Sequence, residues 1–183
     1  MKKKFILAVV GLPGSGKSEA VKYLVKLGWQ RVYFGEVTFD ELKRRKTQVN
    51  EKNERRVREW FRRKYGMGAY AILNLPRMQE ALKQGPVVAE SLYSWEEYKI
   101  VKDKYGKRFK VLAIFAPFSL RAKRLQHRKV RPHPAKELLS RDYAQIENIN
   151  IAGPIAEADF TIINVGSLSY LYQEIDKVLK SLK

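Results

Sequence analysis

Five short, nearly unbroken apolar runs punctuate the chain: residues 5–10 (FILAVV), 31–34 (RVYF), 86–90 (PVVAE), 109–115 (FKVLAIF) and 160–164 (FTIIN). Runs rich in Val and Ile without alternation suit strands of a parallel sheet covered on both faces. Between them the period changes to that of a helix. Residues 19–27 carry Ala20, Val21, Leu24 and Leu27 on one stripe, with Gly28 as a natural stop. Residues 52–65 place Val57, Trp60, Phe61 and Tyr65 on one face and arginines elsewhere. Residues 69–84 also read as helical, with Pro76 expected to kink or split them. Residues 95–104 form a further amphipathic segment leading to a turn at Tyr105-Gly106-Lys107. Leu168, Leu171, Ile175, Val178, Leu179 and Leu182 give a last helix its stripe, with Ser167 as N-cap. Strands alternating with helices predict βαβ units with right-handed crossovers, hence a three-layer α/β sandwich. Repeats, low-complexity tracts and linkers are absent, so residues 1–183 read as one domain.

Composition narrows the chemistry. There is no cysteine, which excludes disulfides, zinc–thiolate sites and thiol nucleophiles. With only His127 and His133, a multi-histidine metal site is excluded too, and any metal should be a hard cation on oxygen ligands. The start MKKKFILAVVG has the outline of a signal peptide, but residues 5–10 are too short for its apolar region. No apolar run approaches the roughly 20 residues that span a bilayer. The expectation is a cytoplasmic protein without a membrane partner. A net charge of +18 attracts polyanions, whether nucleotides or nucleic acid, without choosing between them.

The segment after the first run does choose. GLPGSGKS fits the pattern G-x-x-x-x-G-K-S/T at Gly11, Gly16, Lys17 and Ser18, and Leu12, Pro13, Gly14 and Ser15 fill the loop. Glycines let consecutive backbone N–H groups turn inward around a β-phosphate, where a Cβ would obstruct. The lysine spans β- and γ-phosphates, and the serine hydroxyl is placed to ligate Mg²⁺. The loop follows a strand-like run and enters an amphipathic helix, the context that such a loop requires. A bound nucleoside triphosphate, ATP foremost, is the expectation.

A GTPase would need an N-K-x-D segment late in the chain, where this sequence reads INVGSL. A motor-type ATPase would need adjacent acids ending a strand, where PVVAES offers only Glu90. A small kinase remains. From Ser119 the sequence runs SLRAKRLQHRKVRPHPAKELLSRDY. Arg121, Arg124, Arg128 and Arg131 share one face if that helix continues. Pro132 and Pro134 stop it, and Arg141-Asp142 lie on a returning helix. Residues 119–145 thus read as a short helical lid whose closure would neutralise phosphoryl charge and exclude water.

Taken in order, GLPGSGKSEA, FGEV, PVVAESLYSWEEY, LSRDY and ADFTIINVGSL resemble segments of the nucleoside-monophosphate-kinase branch of P-loop kinases. The closer resemblance is to the uncharacterised adenylate-kinase- and dephospho-coenzyme-A-kinase-related proteins of archaea and some deep-branching bacteria. It covers nearly the whole chain, although only the glycine loop is highly specific. It implies a five-stranded parallel sheet in the order 2-3-1-4-5, with a helical region at residues 36–85 covering the acceptor. It also implies adenine held near residues 164–167, with Asn164 and Gly166 in contact, and Arg128 and Arg141 acting on phosphates beside Lys17. Glu36 and Arg124 would then edge the substrate.

The chain departs from the family pattern twice. Asp-Gly commonly ends the third strand, the aspartate organising Mg²⁺ through water; here the pair is Glu90-Ser91, with Glu90 the candidate for that task. Arginine often stands where this chain has Tyr93 and would bind acceptor phosphate there, so its replacement puts the usual acceptor in question. Arg55, Arg58 or Arg62, from the arginine-rich stretch at 43–64, is a substitute anchor that the helical period cannot single out. Glu36 becomes a candidate base if the acceptor is a hydroxyl, as on dephospho-coenzyme A. The alternative is a nucleic-acid- or ribonucleoprotein-associated ATPase switch, motivated by the charge but lacking interleaved aromatic motifs.

Overall fold

The computed structural model describes residues 4–127 and 135–182, the last segment from Glu137 onward with its side chains. Five parallel strands form one sheet: β1 (Ile6–Val10), β2 (Gln30–Tyr33), β3 (Val87–Glu90), β4 (Phe109–Phe115) and β5 (Phe160–Ile163). Their spatial order is β2-β3-β1-β4-β5, as the resemblance implies. β1 is central, with Ile6 level with Val87 on one side and Phe109 on the other. Its apolar run is unbroken because both faces are covered. Ile6, Ala8 and Val10 enter one core and Leu7 and Val9 the other.

The second core is closed by α1 (Lys17–Lys26) and α9 (Leu168–Ser181), through Ala20, Val21 and Leu24 against Leu171 and Ile175. The first is closed by α2 (Glu36–Arg44), α3 (Glu51–Tyr65), α4 (Ala69–Gln84) and α5 (Trp95–Tyr105), with Phe34, Leu42, Phe61, Met78 and Val101 inside. α6 (Phe118–Gln126), α7 (Ala135–Ile149) and the short α8 (Ala152–Ala156) complete the described elements. The result is a three-layer α/β sandwich.

Helix ends follow local chemistry. The Asn50 side chain caps α3 by accepting from the Asn53 amide at 2.9 Å, and Ser167 does the same for α9 from Tyr170. Ser94 and Glu97 form a reciprocal capping box on α5. Of the expected kink or split at Pro76, the split does not occur: α4 runs through this residue. It lies on the exposed side, so the carbonyl one turn back at Ile72 faces solvent and loses little. α6 ends at Gln126 with His127 as its cap, one turn earlier than the arginine spacing suggested. Arg128 and Arg131 lie outside the described residues.

Glu97 is 2% exposed, and burial pushes its carboxyl up to about 7 against the backbone N–H groups of Tyr93 and Ser94, which favour the anion. The folded chain therefore holds a proton that the unfolded chain releases between pH 4.5 and 7. Stability from this group is full at low pH and lost as pH rises through 7. Glu97→Gln keeps the cap and is expected to flatten that slope, gaining about 1–3 kcal/mol at pH 8, read from urea midpoints at pH 5 to 8.

Candidate active site

The carboxyl ends of β1, β3 and β2 lie level, with Val9 opposite Glu90 and Glu90 opposite Tyr33. The loop leaving β1 rises above this edge. Gly11 has φ +139°, and a Cβ there would fall on the Ile114 carbonyl oxygen of the neighbouring strand. Gly16 has φ +111° at the start of α1, and a Cβ there would fall on the Asn164 amide. Both positions require glycine on conformation and on space.

Two side chains from elsewhere hold the loop. Asn164, buried just past β5, donates from Nδ2 to the Ser15 carbonyl at 2.8 Å. Arg121 of α6 is buried and donates to the Pro13 carbonyl at 2.9 Å and to the Ala116 carbonyl at 3.1 Å. Its guanidinium also clamps both oxygens of buried Asp142 on α7, at 3.1 and 2.7 Å. One fork thus joins the loop, α6 and α7. Asn164→Ala leaves the buried Ser15 carbonyl unpaired and is expected to cost about 1–3 kcal/mol of stability, measured by denaturant unfolding.

Lys17 opens α1 and folds back, Nζ donating to the Leu12 carbonyl at 3.0 Å. Burial, with the Arg121 guanidinium nearby, lowers its ammonium to about 8, while Glu90 opposes the shift. The lysine lines a cleft of about 1380 Å³ with Pro13, Gly14, Gly16, Ser18, Asn164 and Gly166. Gly11, Leu12 and Ser15 form the underside of the loop instead. Ser15 Oγ is buried without a partner among the described residues.

Arg124 and Arg141 line the same cleft. Arg124 donates to the Gly166 carbonyl at 3.5 Å, and its other terminal nitrogen, Nη1, is buried and unpartnered among the described residues. Past Lys17 the cleft continues along Arg31, Tyr33, Phe39, Glu51, Glu90, Ser91 and Tyr93. Glu90 receives Arg31 Nε on Oε2 at 2.6 Å and the same oxygen takes Arg31 Nη2 at 2.5 Å. Ser91 has φ +68° and turns the chain so that its hydroxyl donates to Tyr93 Oη at 3.2 Å. Burial pushes the Tyr93 and Tyr33 phenols up.

Other expected residues fall elsewhere. Glu36 opens α2 and faces Arg77 of α4 at 3.7 Å, outside the cleft lining. The helix begins immediately after β2, which swings Glu36 outward and leaves Tyr33 at the strand exit. Arg55 pairs with Glu59, and Arg58 with Glu51 and Glu54, and neither they nor Arg62 line the cleft. Sequence reasoning did not find Arg31, Tyr33 or the Arg121–Asp142 pair. The signal for the pair was an isolated acid, Asp142, in a basic stretch facing a run of arginines.

For a hard cation, Ser18 Oγ at the start of α1 is a fitting donor. Glu90 fits direct ligation poorly, since Arg31 already holds one of its oxygens. Among the described residues no group of three or more acids and histidines could hold a metal by itself. A cation here depends on oxygens brought by a bound anion.

This sheet order, with a glycine loop at the carboxyl end of its central strand, defines a P-loop-kinase-like sandwich. Solved structures agree. A gluconokinase from Sinorhizobium meliloti matches with TM-score 0.61 at 14% identity, over 100% of this chain and 97% of its own. Dephospho-CoA kinase from Campylobacter jejuni matches with TM-score 0.58 at 18% identity, over 98% of each chain. Shikimate kinase from Aquifex aeolicus matches with TM-score 0.58 at 18%, over 97% of each. Likeness at such identity is a likeness of fold.

No family model matches the chain. A UPF0200 protein of Pyrococcus abyssi is 31% identical over 181 residues, 97% of this chain and 96% of its own length. A UPF0200/UPF0201 protein of Archaeoglobus fulgidus is 32% identical over 180 residues, which are 97% of this chain and span 55% of that protein's length. The chain belongs to the UPF0200 family. Among the described residues no helix is long and apolar enough to cross a membrane.

Proposed function

We propose that the chain is an ATP-dependent phosphotransferase moving the γ-phosphoryl group to a small nucleotide or nucleotide-like acceptor. The observation that carries this reading is one continuous cleft. It holds Lys17, Ser18 and the glycine loop in its middle, Asn164 and Gly166 at one end, and Tyr33, Glu90 and Tyr93 at the other. A donor triphosphate sits on the loop with its base toward Gly166, and an acceptor approaches from the Tyr33 side, in line with the β,γ-bridging oxygen.

Lys17 and the first-turn amides of α1 bind the β- and γ-phosphates, and Arg141 meets charge developing on the transferred group. Ser18 Oγ and the phosphates would hold Mg²⁺, which when bound neutralises charge between the β- and γ-phosphates. Arg124 belongs to the base end through its contact with Gly166. Residues 36–85 cover the acceptor and residues 119–145 act as the lid. Arg128 is assigned to the lid from sequence alone. Pairing of Arg55 with Glu59 and Arg58 with Glu51, and of Arg44 and Arg45 with the one carboxylate of Glu41, lessens the charge that this stretch offers to a nucleic acid.

The test is coupled ADP release with Mg²⁺-ATP and a panel of AMP, CMP, UMP, dTMP, GMP, nucleosides and dephospho-coenzyme A. The expected result is many-fold acceleration by one acceptor. Hydrolysis indifferent to every acceptor but raised by RNA would reject the reading.

A further inference from the structure

Resting on the phosphotransferase reading but replacing its nucleotide acceptor with an uncharged one, we infer that the acceptor presents a hydroxyl, and that Glu90 is the group that takes its proton. The two ends of the cleft differ in charge. Around the loop stand Lys17, Arg124 and Arg141, suited to a triphosphate. Beyond Lys17 the wall is Arg31, Tyr33, Phe39, Glu51, Glu90, Ser91 and Tyr93, which carries two carboxylates, three aromatic rings and one cation. That one cation is engaged: Arg31 holds Glu90 through Nε and Nη2 and lies over the Tyr33 ring at 5.1 Å.

The arginines of α3 that could have replaced it do not line the cleft. Arg58 is held by Glu51 and Glu54, and Arg55 by Glu59. A phosphate entering here meets two closed ion pairs, Arg31–Glu90 and Arg58–Glu51, and the further cation near Tyr93, Arg141, is the one assigned to the transferred group. A ring with hydroxyls fits the same wall. Tyr33 packs its phenol end against Gly35, where any Cβ would strike it, and lines the cleft with Arg31 over its ring.

Glu90 has the placement of a base. It ends β3 level with Val9 of β1 and Tyr33 of β2, beside the glycine loop, and is near enough to Lys17 to influence its charge. Arg31 occupies only Oε2, and Oε1 takes no hydrogen bond from the described residues. In the transfer step, the acceptor O–H proton passes to the Glu90 carboxylate and the acceptor oxygen bonds to the γ-phosphorus. The bond from that phosphorus to the β,γ-bridging oxygen breaks, and its electron pair leaves on ADP. Glu90 then returns its proton to water.

The experiment uses full-length protein, Mg²⁺-[γ-³²P]ATP and acceptors in matched pairs: adenosine and AMP, cytidine and CMP, glucose and glucose 6-phosphate. ATP affinity is measured in parallel by calorimetry. The expected result is labelling of an uncharged member at least tenfold faster than its phosphorylated partner. Glu90→Gln should lower that kcat about 100-fold or more with ATP affinity within twofold, and Glu90→Asp should recover part of it. Preference for the phosphorylated member, or a Glu90→Gln rate within threefold of the parent, overturns the inference while leaving the kinase reading intact. Should every pair be silent while ATP binds, transfer to water, the smallest hydroxyl acceptor, decides. A hydrolysis rate that Glu90→Gln leaves unchanged overturns the inference, and a tenfold fall supports it. Loss of ATP binding by the parent protein would reject the kinase reading itself.

Discussion

Replacing Lys17 with alanine is expected to lower acceptor-dependent ADP release about 1,000-fold or more, with the fold intact by circular dichroism. The effect is large because Lys17 opens α1 beside the loop, and two other cations of this region are committed elsewhere: Arg121 is locked to Asp142, and Arg31 to Glu90. The folded chain already holds this ammonium at a cost, since burial and Arg121 lower it to about 8. A triphosphate relieves that cost, so Lys17→Ala should stabilise the nucleotide-free protein slightly while weakening nucleotide binding. Thermal melts with and without ATP read both signs. A variant with ADP release within tenfold of the parent would remove Lys17 from the chemistry.

Arg121→Ala is expected to be the most damaging single change to stability. It leaves Asp142 as a buried, uncompensated carboxylate and strips donors from the Pro13 and Ala116 carbonyls. Breaking a buried pair from one side costs about 3–5 kcal/mol. At this chain length that is a fall in Tm of about 10 °C, measured by calorimetry. The double change Arg121→Met with Asp142→Leu should recover much of the stability, because no lone charge is left inside. It should not recover nucleotide affinity, because the Pro13 side of the loop remains untethered. Recovery of both would mean that the pair serves stability alone.

Much of this was legible beforehand for definite reasons. The strands could be read because both faces of the sheet are covered, which forces apolar residues at successive positions. The loop could be read because its glycines answer to close contacts, at Gly11 with Ile114 and at Gly16 with Asn164. What escaped reading were side chains whose meaning depends on a distant partner. Arg121 looked like a member of an exposed arginine face, yet it points inward, because Asp142 and two carbonyls meet its guanidinium. Glu36 and Glu90 both follow strands, and periodicity does not tell which turns toward the cleft. The start of α2 and the left-handed turn at Ser91 make that choice. A split at Pro76 was one of the two outcomes expected because its cost was assessed without knowing that it lies on the solvent side.

The central place of β1 has a consequence for biosynthesis. The strand leaves the ribosome well before its partners, residues 87–90 and 109–115, and the loop it carries is tied down by Arg121 and Asn164, which are later still. The nascent chain therefore exposes an apolar segment until residues 87–115 have been made, a target for chaperones and a hazard for aggregation. Pairing over such separations is slow, so maturation is set by chain topology more than by local helix formation. The glycine loop then takes its final form late, when the ties from Arg121 and Asn164 close, rather than when its own strand has been made.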